Sequence, residues 1–218
     1  MDTWYMIQNY AIAFGYWILS YYHTFYLLCS IIIMLIIWIT WTLGAGKGTI
    51  SDYLIKKWFS HYSVSDYIAV EIKKRGLEVN RDTMYKVGWD LKQNFWPDFI
   101  VKELYQQAKM SWKNTIIESI RSPWEVMWLK ALEDFVLLAV DADQNLRYQR
   151  IRLRNSVKDQ VDFETFTANE ARELEHSDDP SKINLSACIK IADYTFINNG
   201  TFEDLYQKID EMLTKITL

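Results

Sequence analysis

Residues 36–49, IIWITWTLGAGKGT, constrain this chain more than any other stretch. An apolar, β-branched run leads without a break into Gly44, Ala45, Gly46, Lys47, Gly48 and Thr49, and a helical pattern follows from about Gly48 to Lys57. Strand, glycine loop, helix is the order in which a backbone wraps an anion. The glycines permit a tight turn, and the first N–H groups of the helix have no carbonyl ahead of them. Lys47 would then reach the β- and γ-phosphates of a nucleotide such as ATP, and Thr49 is the nearest hydroxyl for Mg²⁺.

From Lys47 onward, short β-rich runs alternate with amphipathic helical patterns, which argues for βαβ units and a parallel sheet. The pattern predicts strands at Leu35–Thr40, His61–Val64, Thr115–Glu118, Phe135–Asp141 and Tyr194–Ile197. Helices are predicted near Asp66–Arg75, Arg81–Asn94, Pro97–Met110, Pro123–Glu133, Asn145–Arg154, Phe163–His176, Leu185–Ile191 and Phe202–Leu213. Pro97 and Pro123 fall early in their helices, where a missing N–H costs little. The expected fold is a three-layer α/β/α P-loop domain with a parallel five-stranded sheet.

A net charge of -4 gives no reason to expect nucleic acid as a partner. Cys29 and Cys188 form neither a metal spacing nor a disulfide framework, and suit a reducing compartment such as the cytoplasm. His23, His61 and His176 share no spacing and receive no catalytic role. No Asp, Glu, Lys or Arg occurs between Asp2 and Lys47, so residues 1–33 form an apolar extension ahead of a domain at 34–218. Three readings fit that extension: a membrane anchor through residues 10–33, a buried helix, or upstream sequence read from a wrong start. An anchor has Lys or Arg at its cytoplasmic edge and a signal peptide a basic first region, and neither is present. The favoured reading is a mis-assigned start, with Met34 opening the domain and an anchor as the alternative.

The glycine loop resembles that of nucleoside monophosphate kinases of the adenylate kinase type, which place a glycine after the lysine and a threonine next. HYSVSDYIAVEIKKRG resembles the second strand and helix of these kinases and of dephospho-CoA kinase-like proteins. IIESIRSP resembles their third strand and its arginine-bearing turn, LLAVDADQNLRYQRIRLRN their fourth strand and the arginine-rich approach to a lid, and IADYTFINNGTFEDLYQKI their last strand and helix. The resemblance covers about residues 35 to 215. It implies Mg-ATP-dependent phosphorylation of a nucleotide-like acceptor, with a dephospho-CoA kinase or a non-catalytic ATP-binding module, regulatory or membrane-tethered, as alternatives.

The resemblance also exposes an oddity. Its members read GITGTLGAGKGT where this chain has WITWTLGAGKGT, and glycine again at Trp58, Trp96, Trp112 and Trp124; Trp89 and Trp128 extend the set less clearly. Drift does not choose one rare replacement repeatedly, but a UGA codon read in the wrong code does. Restoring the eight tryptophans from Trp38 onward would lift seven glycines to about fifteen, the usual ~7%. Trp41, written where the turn is tightest, should crowd the phosphate site.

Phosphoryl transfer needs positive charge around an in-line displacement. Lys47, Arg121, Arg150 and Arg154 are the catalytic candidates. Arg121 follows the third strand, and Arg147, Arg150 and Arg154 share one helical face. Asp66, Arg81 and Arg121 are the acceptor candidates, with Asp66 or Ser65 also able to cap a helix. Glu118 joins Thr49 near Mg²⁺, and Asn199 and Gly200 stand where the resemblance places the adenine. Ala69 and Val70 occupy a stretch in which these kinases often carry an arginine, which leaves the acceptor open.

Overall fold

The computed structural model describes residues 34–132, 134–154, 161–174, 179 and 182–217, the side chains of Arg81 and Thr217 excepted. The extension 1–33, and with it the anchor or mis-assigned-start reading, lies outside the described residues. No helix among the described residues is long and apolar enough to cross a membrane.

In chain order the elements are β1 (Ile36–Trp41), α1 (Lys47–Lys56), β2 (Ser60–Ser63), α2 (Val64–Lys74), α3 (Arg81–Asn94), α4 (Phe99–Ser111), β3 (Thr115–Glu118), α5 (Pro123–Lys130), β4 (Phe135–Asp141), α6 (Gln144–Leu153), α7 (Phe163–Leu174), α8 (Leu185–Lys190), β5 (Tyr194–Ile197) and α9 (Phe202–Thr217). The five strands form one parallel sheet in the order β2-β3-β1-β4-β5. β1 is central, with Ile36 beside Thr115 of β3 and Phe135 of β4.

The period of two along β1 divides the core. Ile36 and Trp38 join Ile72, Val101, Leu104 and Leu129 from α2, α4 and α5 on one face. Ile37 and Ile39 join Ile50, Leu54, Leu205 and Ile209 from α1 and α9 on the other. This is the expected three-layer α/β/α arrangement, and β3, β4 and β5 have the predicted bounds.

Differences fall at element ends. β1 extends through Trp41, paired with Val140. Val64 belongs to α2 and not to β2, because the Ser63 hydroxyl accepts from the Asp66 N–H and caps the helix there. The cap is therefore Ser63, neither Ser65 nor Asp66. α4 begins at Phe99 and not at Pro97. Asn80 with Thr83, and Ser122 with Glu125, close reciprocal caps on α3 and α5, the latter with Pro123 in its first turn.

Two of the odd tryptophans have a glycine's backbone. Trp58 has φ 69° and Trp112 has φ 54°, both left-handed. Trp112 is the residue that ends α4, where glycine is the usual occupant. The two residues are 89% and 72% exposed, so little packing holds them there. Trp38 is the opposite case: it is fully buried, and its indole N–H has no hydrogen-bond partner.

Candidate functional site

The site forms at the C-terminal ends of the strands, where a parallel sheet exposes its loops. β1 delivers Thr42–Gly46 to the start of α1. Gly44 has φ 86°, and a Cβ there would meet the Arg147 carbonyl oxygen at 2.6 Å. Gly46 has φ 101°, and a Cβ there would collide with the Asn198 amide. Glycine is thus required at both, once for the turn and once for the close approach of another chain segment. Gly48, already inside α1, meets no such neighbour. No side chain caps α1, so the N–H groups of its first turn remain free for an anion.

Lys47 forms an ion pair with Glu118, at the end of β3. His61 Nε2, on β2, lies 3.4 Å from the other Glu118 oxygen. Burial pushes the Glu118 carboxyl upward, but the hydrogen bonds from His61 and Lys47 outweigh it and hold the group below its ordinary value. Glu118 is thus kept as an anion beside the loop lysine. Trp41 stands against both flanking cations, with Lys47 Nζ 4.8 Å and the Arg121 guanidinium 5.4 Å from its ring centroid.

Two cavities open here. The first, about 430 Å³, is lined by Gly44, Gly46, Thr49, Arg150, Arg154 and Asn198, and by Gly200 and Thr201 with the start of α9 at Phe202 and Glu203. Arg150 Nη1 is buried without a hydrogen-bond partner among the described residues, and burial lowers the tendency of its guanidinium to hold a proton. A cation left so exposed to desolvation calls for an anion at that wall. The second cavity, about 330 Å³, lies among α2, α3, the turn after β3, and residues Arg172, Lys182 and Ile183. Arg121 and Ser119 line it from the turn, Ser65 and Ile68 from α2, and Tyr85 and Gly88 from α3.

The sequence candidates distribute over this frame. Lys47, Glu118, Thr49, Arg150 and Arg154 surround the loop and first cavity, and Arg121 lines the second. Asp66 is exposed in the first turn of α2, while its neighbour Ser65 faces the second cavity. Arg81 opens α3, but its side chain is outside the described residues. Asn199 accepts a hydrogen bond from the Asp143 N–H at 2.8 Å and ties β5 to the start of α6. Arg147, on the helical face it shares by spacing with Arg150 and Arg154, does not line the first cavity as they do. It is buried, bonded to the carbonyls of Ala142 and Leu43 and to Glu170, and braces the loop from behind.

Sequence reasoning missed Asn198 and His61. Asn198 lines the first cavity and donates to the Ala45 carbonyl at 2.8 Å, so it fixes the loop against β5. Its only sequence signal is a position beside Asn199. His61 is near Glu118 because β2 pairs with β3, a long-range fact with no local pattern.

Comparison with known proteins agrees with this frame. A family model described as an AAA domain matches residues 37–175. A UPF0200 protein of Methanocaldococcus jannaschii is 28% identical over 186 residues, 84% of this chain and 91% of that protein. A UPF0200 protein of Staphylothermus marinus is 27% identical over 173 residues, 79% of this chain and 88% of that protein. Among solved structures, TT1252 from Thermus thermophilus superposes with a TM-score of 0.58 at 19% identity, covering 83% of this chain and 97% of its own. Shikimate kinase from Acinetobacter baumannii, in complex with shikimate, gives 0.55 at 19% identity, covering 85% and 96%. At these identities the structures share the fold, which is that of P-loop kinases.

Proposed function

Because this chain belongs to the AAA-domain family, whose model matches its glycine loop and most of its sheet, we propose that it transfers a phosphoryl group from ATP to a nucleotide-like acceptor. The observation that carries the reading is Arg150. Its Nη1 is buried and, among the described residues, unpartnered on the wall of the cavity that the glycine loop closes. Gly44 and Gly46, each with a positive φ and no space for a Cβ, and an uncapped α1 complete a cradle suited to phosphates.

ATP supplies the transferable phosphoryl group, and Mg²⁺ supplies charge neutralisation; Thr49 and Glu118 are the residues that would hold the ion. The chain's own part is positioning and electrostatics. Lys47 brings a point charge to the phosphates on leaving Glu118, and that carboxylate, kept ionised by His61, is then free for the ion. Arg150 and Arg154 face the same phosphates from α6. Arg121 orients the acceptor's anion at the second cavity, where Ser65 and Ser119, with Oγ atoms 3.3 Å apart, offer hydroxyls.

The tryptophans belong to this reading. Trp41 crowds Lys47 and Arg121, and we read it, with Trp58 and Trp112, as standing where the working chain has glycine. The test is an acceptor screen on both the unchanged chain and Trp41→Gly. Mg-ATP is supplied with nucleoside monophosphates, dephospho-CoA, shikimate or gluconate, and ADP release is followed. Release that depends on a nucleotide acceptor, strongest in Trp41→Gly, is expected. ATP binding with no acceptor-dependent release in either protein would leave a non-catalytic binding module instead.

A further inference from the structure

Helix α7 carries Glu170 and Glu173, one turn apart, and each holds an arginine from elsewhere in the fold. The two pairs differ in kind. Glu170 is buried, pairs with buried Arg147, and also accepts from Gln144 Nε2 at 2.6 Å. Breaking that pair would strand charge in the interior, so it fixes α7 in place. Glu173 accepts from Arg121 Nη1 at 2.9 Å, and both side chains are 29% exposed. A pair so exposed is weak, because water solvates either partner once they separate. Yet Arg121 lines the second cavity.

Resting on the phosphotransfer reading, we propose that Glu173 is a counter-anion that occupies Arg121 until the phosphate of the acceptor displaces it, so that the pair selects acceptors by charge. A guanidinium binds carboxylate and phosphate with the same fork of donors. A phosphate monoester brings a charge of about −1.5 to −2 at neutral pH against the single charge of Glu173, and so competes well. A neutral hydroxyl acceptor brings no compensation for breaking the pair. The surroundings favour the same choice. Arg172 and Lys182 line the cavity, and Glu125, its one carboxylate among the described residues, already accepts from Lys92 Nζ at 2.7 Å and from the Ser122 N–H. Displaced, Glu173 meets solvent, whereas Glu170 could not. The acceptor class is therefore phosphomonoesters, in preference to neutral sugars or nucleosides.

Glu173→Gln removes the charge and keeps the shape. The full chain and this variant are titrated calorimetrically with AMP, CMP, adenosine, inorganic phosphate and ATP. The variant is expected to bind the nucleoside monophosphate roughly two- to fivefold more tightly, the range an exposed ion pair can supply. Adenosine and ATP affinities should not move, and the gain should vanish when Arg121→Gln is added. Glu173→Asp, with a shorter reach, should give a smaller gain of the same sign and serves if the glutamine variant does not fold. Equal or weaker monophosphate binding in both variants, or a gain that survives Arg121→Gln, overturns the proposal. If the unchanged chain binds monophosphates and the variants do so no better, only the counter-anion role is lost. If no protein binds or phosphorylates any monophosphate, even when Trp41→Gly is added, the phosphotransfer reading falls with it.

Discussion

Trp58 and Trp112 put the oddity of this chain into physical terms. A residue with a Cβ in the left-handed region costs about 1 kcal/mol relative to glycine, and neither ring recovers that by packing. Trp58→Gly and Trp112→Gly should therefore each raise stability by about 1 kcal/mol, read as a shift of the urea midpoint. A lower midpoint in both would show that the indoles hold the chain. Trp38 adds to the argument from inside, since a buried indole N–H without an acceptor costs about 1–3 kcal/mol. Single residues were unevenly legible in the sequence. Lys47, Glu118 and Arg121 could be placed because each lies at or soon after a strand end that faces the loops. Asn198 and His61 could not, because what makes them matter is a partner more than fifty residues away.

Elements were legible where period and punctuation agree. β4 reads as a continuous apolar run, as a strand buried on both faces must, and its bounds are as predicted. The end of β2 was not, because a serine that closes a strand and caps a helix looks the same from either side. Links between elements were hidden altogether, and that between α4 and β4 has a measurable consequence. The Tyr105 hydroxyl on α4 donates to Asp134, just before β4, at 2.9 Å. Burial, and then that carboxylate, push its phenol up to about 12. A folded value raised above the unfolded one means the contribution is complete below about pH 10 and is lost as pH rises toward the folded value. Burial pushes the Cys188 thiol up to about 12 with the same sign. Stability should thus fall from about pH 9 upward, and Tyr105→Phe should flatten part of that fall while lowering stability at pH 7 by about 1 kcal/mol. A Tyr105→Phe profile parallel to that of the unchanged chain would deny the tyrosine this role. The measurement is urea unfolding across pH 7–12.

Across the described residues, cavities lined by cations open at the C-terminal edge of a parallel sheet, one of them against the glycine loop. The architecture was readable from strand–loop–helix order, since that order leaves few ways to cover both faces of a sheet. The division of labour among the arginines was not. Four of them look alike in the chain, yet Arg147 braces the loop, Arg121 is held by α7, and Arg150 and Arg154 line the first cavity. Everything proposed rests on phosphates held by the amides and ammonium group of residues 44–49. A calorimetric titration of Trp41→Gly with Mg-ATP, with and without Lys47→Met, examines that hold. Tighter binding than in the unchanged chain is expected, weakened roughly ten- to hundredfold by Lys47→Met, the loss of one charge-assisted contact. An absence of binding in Trp41→Gly, or an affinity indifferent to Lys47, would contradict it.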